Sequence, residues 1–236
     1  MIRAVLFDLD GTLLPLDIDE FFRVYISAIA DAFSHIVEPE VFTPELLAAT
    51  RAMMLNNDTK STLSEVFWRQ FSSRVGRDTN ELMRVASGFY STEFKRLGQG
   101  IVALPDAARA VDTAIVRGYE VVLATNPLFP VAAIEERMRW AGVYEKPWRL
   151  VTSYERMHYT KPNPKYYAEI LQIVGCSAKE CVMVGNDTRD DLVASTLGMR
   201  TFLVEGFSVL RPDGYRPTWE GTLSDLVRLI ERRFGV

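Results

Sequence analysis

Apolar positions along the chain follow two different rhythms. Beyond about residue 100, short apolar runs alternate with amphipathic stretches, whereas between residues 15 and 97 the only period is helical. In the C-terminal part, helices are predicted over 107–117, 131–141, 165–174 and 192–197, each followed by a glycine (Gly118, Gly142, Gly175, Gly198), the usual helix stop. The intervening runs, at 120–124, 181–184 and 201–204, lack polar alternation, as expected of parallel strands covered on both faces. With the N-terminal run at 2–7 as central strand, they predict a doubly wound parallel sheet of the α/β class.

Residues 15–97 predict helices and no strands. Phe21, Val24, Tyr25, Ala28 and Ile29 keep helical spacing, as do Leu63, Val66, Phe67 and Phe71, and then Leu82, Val85, Ala86 and Phe89. Start signals accompany them: Thr43-Pro44 as cap and first-turn proline, a capping box from Thr62 to Glu65, and a similar pairing from Asp78 to Glu81. These stripes are the packed seams of a four-helix bundle. The chain therefore divides into a Rossmann-like core, residues 1–14 and 98–236, and an inserted α-helical domain, residues 15–97.

Composition narrows the function class. A chain of 236 residues with 48% hydrophobic content buries one sizeable core, or a core and a satellite. Its net charge of −4 provides no basic field for a nucleic-acid backbone. No apolar run reaches the roughly 18 residues of a membrane span, and a strand begins at once with no signal peptide before it. Cys176 and Cys181 fit neither a metal spacing nor a disulfide framework, so they read as reduced thiols and the expected location is cytoplasmic. His35 and His158, the only histidines, read as surface or packing residues and make no zinc set. Oligomeric state is left open.

The chemistry is concentrated where the first strand ends. Val5-Leu6-Phe7-Asp8-Leu9-Asp10-Gly11-Thr12 delivers two carboxylates, one residue apart, into a turn. Two such groups repel unless one is protonated or a cation lies between them. Magnesium suits that role, because it prefers oxygen ligands and keeps waters that a phosphate displaces. One aspartate then remains an ionised nucleophile while the other serves as general acid and base.

This run resembles the first motif of the haloacid-dehalogenase-like hydrolase superfamily, most of whose members are magnesium-dependent phosphatases. Three further motifs have matches in order: Thr125-Asn126 after the strand at 120–124, Lys161-Pro162-Asn163-Pro164, and Gly185-Asn186-Asp187 followed by Asp190-Asp191. The resemblance implies Asp8 as nucleophile, Asp10 as general acid and base with its carbonyl on magnesium, Thr125 and Asn126 on the phosphoryl oxygens, and Lys161 steadying the charge. The fourth motif departs from the commonest form, in which aspartate directly follows the glycine. Asp187 is the preferred metal ligand, with Asn186 as a neutral alternative, Asp191 holding a metal-bound water or Lys161, and Asp190 a weaker candidate. An all-helical insert after the first motif is, by the same resemblance, a cap that selects the substrate; its polar stretch Asn56-Asn57-Asp58-Thr59-Lys60 is expected to face the leaving group, with Lys60 in contact. The expected reaction is hydrolysis of a small phosphomonoester. Asp10 argues against a dehalogenase or a phosphonate-cleaving enzyme. A sugar-phosphate mutase and a catalytically silent binding protein remain as alternatives.

Overall fold

The computed structural model describes residues 1–235. Strand β1 (Ala4–Phe7) leads into five helices, α1 (Ile18–Phe33), α2 (Pro39–Met54), α3 (Leu63–Val75), α4 (Thr79–Ser91) and α5 (Glu93–Arg96). The chain continues through α6 (Pro105–Val116), β2 (Glu120–Leu123), α7 (Val131–Trp140), β3 (Leu150–Val151), α8 (Pro164–Val174), β4 (Cys181–Gly185), β5 (Arg200–Val204), β6 (Trp219–Gly221) and α9 (Leu223–Glu231). Among the described residues the strands form one parallel sheet in the order β3-β2-β1-β4-β5-β6. It is a Rossmann-like α/β fold with an inserted helical cap.

Strand β1 is buried throughout, which explains its continuous apolar run. After it the chain builds β2 and β3 on one side, then crosses to β4 on the other. That reversal opens a crevice at the carboxyl end of β1, flanked by the ends of β2 and β4, where open α/β sheets bind their ligands.

The cap helices are joined by aromatic contacts across their seams. Phe33, Phe42 and Phe71, from α1, α2 and α3, bring their ring centroids within 4.8, 5.6 and 6.2 Å of one another in pairs. Offset and edge-on arrangements of this kind add to the stabilisation from burial alone. Phe94 of α5 stacks on Trp140 of α7 at 5.4 Å, tying the insert to the core.

Three expected details differ. The second cap helix begins at Pro39 rather than at Thr43-Pro44: Pro39 takes the first-turn position, and Pro44 lies inside the helix at the loss of one backbone hydrogen bond. The insert holds a fifth short helix, because the chain turns again at Thr92 before leaving the cap. The segment Leu192–Leu197 is 3₁₀. There Ser195 and Thr196 donate their hydroxyls to carbonyls three residues back, competing with α-helical bonding.

Candidate active site

Asp8 stands at the tip of β1, its amide donating to the Val184 carbonyl of β4 (2.9 Å), and the residue is 7% exposed. Lys161, from the loop entering α8, is buried and bridges two acids: Nζ lies 2.7 Å from Asp8 Oδ1 and 2.6 Å from Asp191 Oδ1. Asp191 turns its other oxygen to the amides of Asn186 (2.9 Å) and Asp187 (3.0 Å). Both of its oxygens are thus engaged in holding Lys161 and the turn after β4. Burial pulls the Lys161 ammonium down, but Asp191 and Asp8 outweigh it and hold it well above the usual lysine range. Burial pushes the Asp8 carboxyl up to about 7; Lys161 lowers it, while Asp191 and Asp10 raise it further.

Two glycines make this packing feasible. Gly11 has φ +75°, which disfavours any side chain, and a Cβ there would lie 2.3 Å from Asn186 Nδ2. At Gly185 a Cβ would lie 2.2 Å from Asp191 Oδ2, so only glycine lets that carboxylate reach the turn amides.

Asp10 meets a partner that its motif does not contain. Arg137, on α7 and fully buried, donates from Nη1 to Asp10 Oδ2 at 2.5 Å, while its guanidinium stacks over the Phe129 ring at 4.4 Å. Asp10 Oδ1 and Arg137 Nη2 are buried with no hydrogen-bond partner. Both atoms thus keep hydrogen-bonding capacity that no side chain of the fold uses. The signal for Arg137 was present but faint: it shares the inward face of α7 with Ala133, Ile134 and Met138, where a charge is out of place without a partner.

The fourth motif splits into two directions. Asn186 donates from Nδ2 to the Phe207 carbonyl (2.7 Å), which turns Oδ1 toward Thr12, whose hydroxyl lies 3.4 Å from it and 3.3 Å from Asp8 Oδ2. The Thr12 hydroxyl therefore lies between the Asn186 amide oxygen and the Asp8 carboxylate. Asp187 is occupied elsewhere: Oδ1 accepts from the amides of Arg189 and Asp190, and Oδ2 accepts from Arg211 Nε at 3.0 Å. Arg211, in a loop that reads in sequence only as a turn, brings a second cation to the cleft. Asp190 lines the cleft as well, and burial, then Asp187, raises its carboxyl.

At the end of β2, Thr125 is buried and its carbonyl accepts from Thr152 Oγ1 and Tyr166 Oη, both at 2.8 Å. Asn126 accepts from the Lys161 amide (3.3 Å), so the second and third motifs brace each other. Asp8, Asp10, Thr125, Asn126, Lys161, Asn186, Asp187 and Asp191 all line one cleft of about 180 Å³, closed on the cap side by Ile18 and Phe22 of α1. Lys60 is not brought there. Its loop lies against the outside of the segment carrying Lys161, through Asn56 on the His158 carbonyl (2.8 Å) and Asn57 on Asn163 and Lys165 (both 3.2 Å), and Lys60 itself is exposed.

Donors for a magnesium ion are few. Among the described residues no three acidic, histidine or cysteine side chains converge as a metal cluster. The Asn186 amide oxygen and the Asp8 carboxylate line the cleft on either side of the Thr12 hydroxyl. That set fits a cation held by a single full charge, and the raised Asp8 carboxyl is the group such a cation would keep ionised.

A model of the haloacid dehalogenase-like hydrolase family matches residues 2–198, and the chain belongs to that family. Its fold is similar to the L-2-haloacid dehalogenase of Xanthobacter autotrophicus with chloropropionic acid covalently bound, at 18% identity and TM-score 0.57, covering 98% of this chain and 99% of that one. It is similar also to a phosphatase of the same superfamily from Thermococcus onnurineus, at 18% identity and TM-score 0.61, covering 97% and 98%. No curated protein matches the sequence. Among the described residues no helix is long and apolar enough to cross a membrane.

Proposed function

We propose that the protein hydrolyses small phosphomonoesters through an aspartyl-phosphate on Asp8. The observation that carries this reading is the pairing, in one cleft, of a buried Asp8 held by Lys161 with an Asp10 whose Oδ1 is buried and free of partners. Asp8 attacks phosphorus, and the bond to the leaving oxygen breaks as Asp10 Oδ1 delivers a proton to it. Asp10, then ionised, takes a proton from water, which cleaves the acyl phosphate and regenerates Asp8. Lys161 offsets the charge shared between Asp8 and the phosphoryl oxygens, while Thr125 and Asn126 bind those oxygens. Arg137 keeps the other Asp10 oxygen fixed, so the acid presents one atom to the substrate. Magnesium would be held by Asp8, Asn186 and the Asp10 carbonyl, and when bound it supplies further charge neutralisation at phosphorus.

Phosphate release from a panel of phosphomonoesters, with and without magnesium, tests the reading. Turnover that requires Asp8 and is enhanced by the metal supports it; no release from any ester overturns it.

A second reading is attack of Asp8 on carbon, displacing halide from a 2-haloacid. Here the supporting observation is that the acids are paired with the protein's own cations: Asp8 and Asp191 with Lys161, Asp10 with Arg137, Asp187 with Arg211. A halide needs no proton to depart, however, and Asp10 would then have no task. Halide release from 2-chloropropionate, measured beside the ester panel, separates the two.

A further inference from the structure

Beside the cleft that holds Asp8 lies a second space. It is a cavity of about 40 Å³ inside the cap, bounded by α1, α2, α3 and α4 on one side and by Leu128, Phe129 and Tyr154 of the core on the other. Phe22, Leu128 and Phe129 line both this cavity and the catalytic cleft, so the two spaces share one wall. Phe22 and Phe129 meet across that wall at 6.3 Å between centroids.

The cavity is chemically one-sided. No lysine, arginine, aspartate or glutamate lines it. Its polar atoms are few and each already has a partner: Tyr25 and Tyr90 hydroxyls pair at 2.7 Å, Trp68 Nε1 donates to Tyr154 Oη at 3.3 Å, and Thr50 donates to the Leu46 carbonyl at 2.9 Å. Burial raises the phenols of Tyr25, Tyr90 and Tyr154 above their ordinary value, so all three are neutral at physiological pH. A sugar or nucleoside entering this space would give up the water around several hydroxyls and meet at most a phenol hydroxyl in return, a penalty that grows with each group left unpaired. A short alkyl chain would lose no hydrogen bond and would supply the contacts that the cavity lining lacks.

Building on the phosphatase reading, we infer that this cavity is the leaving-group subsite, and that the substrate is a phosphomonoester of a short apolar alcohol, with its chain seated past Phe22, Leu128 and Phe129. A space of this size takes about three water-sized groups. The leaving group is therefore a short alkyl chain of about three carbons.

The test uses two homologous series on the full-length protein. Binding is measured by calorimetry with methyl-, ethyl-, propyl-, butyl- and phenylphosphonate, and turnover by phosphate release from the matching phosphate esters and from glycerol phosphate. Affinity and kcat/KM should rise by about fourfold per methylene until the cavity is full at about three carbons, as burial of each methylene predicts, with phenyl gaining nothing over propyl and glycerol phosphate among the poorest. Ala86→Leu, which fills the cavity from α4, should flatten the butyl-to-methyl ratio. Because that change crowds a packed core, Ala86→Val is carried as a milder variant and should flatten the ratio less. Affinity that climbs with chain length while no ester is turned over leaves the subsite standing and defeats the phosphatase reading. Phosphate release with affinity and kcat/KM flat across the series, or a chain-length gain that survives both Ala86 variants, overturns the subsite.

Discussion

The strand-end cleft and the cap cavity share a wall but are built by opposite rules. At the cleft, Asp8 and Asp191 pair with Lys161, Asp187 with Arg211 and Asp10 with the buried Arg137, and most of their oxygens have an assigned donor. In the cavity no charged side chain is present and the few polar atoms each have a partner. The difference divides the labour: electrostatics at one end act on the reacting group, and apolar shape at the other selects what is attached to it. Substitutions in the cleft should therefore change rate by large factors whatever the substrate, whereas those in the cap should act only through substrate choice.

The contrast is sharpest at Asp8. Asp8→Asn keeps the shape and removes the nucleophilic anion, so turnover should vanish for every ester while circular dichroism stays native. The same variant carries a pH signature. Folding lifts the Asp8 carboxyl from 3.8 to about 7, so the native state binds the extra proton between those values and stability falls as pH rises through that window. Neutral asparagine escapes this loss. The Tm advantage of Asp8→Asn should be smallest near pH 4, grow toward pH 7 and level off above it; an advantage that shrinks with rising pH would contradict the burial of Asp8.

Arg137 should come next. Arg137→Met leaves Asp10 without its cation, and breaking one member of a buried pair costs roughly 3–5 kcal/mol. Chemical denaturation should show that loss, together with slower turnover on alkyl esters. A variant as stable as the parent would mean that the pair contributes nothing. Asp10→Asn should slow alkyl ester hydrolysis roughly 100-fold or more, with the leaving-group step on an activated aryl ester much less affected. Equal losses in that step would remove Asp10 from the role of acid.

Smaller effects are expected at the metal donors. Asn186→Ala should raise the magnesium requirement more than Asp187→Ala, because Asn186 shares the Thr12 hydroxyl with Asp8 whereas Asp187 is turned to Arg211. Magnesium titrations giving the reverse order would return the ligand role to Asp187. Lys60→Ala should shift kcat/KM and stability by no more than about 0.5 kcal/mol, as an exposed side chain outside the cleft. A large substrate-dependent loss would bring its loop back into recognition.

What sequence reveals follows the same division. Asp8, Asp10, Lys161 and the turn at Gly185 are short-range signals at the ends of apolar strands, and the sheet order brings them together without further information. The direction of a side chain within a motif is another matter. Asn186 and Asp187 are adjacent, and which one turns toward Thr12 and Asp8 depends on Phe207 and Arg211, more than twenty residues away. Arg137 was hidden for a similar reason: its spacing marked it as inward-facing, but nothing local named Asp10 as its partner. Helical periodicity exposed the cap seams, yet a cavity is a shortfall in packing between four helices, and no single stripe records it.

The central claim is covalent attack of Asp8 on phosphorus. The most direct measurement is mass spectrometry of the Asp8 peptide after acid quench of the Asp10→Asn variant mixed with nitrophenyl phosphate and magnesium, with a parallel sample in 2-chloropropionate. An activated leaving group departs without an acid, and the missing base leaves the intermediate uncleaved. The account predicts a hydroxylamine-sensitive phosphoryl adduct on Asp8 in the first sample and none in the second; a carboxyalkyl ester on Asp8 from the haloacid, with no phosphoryl adduct from the ester, would contradict it.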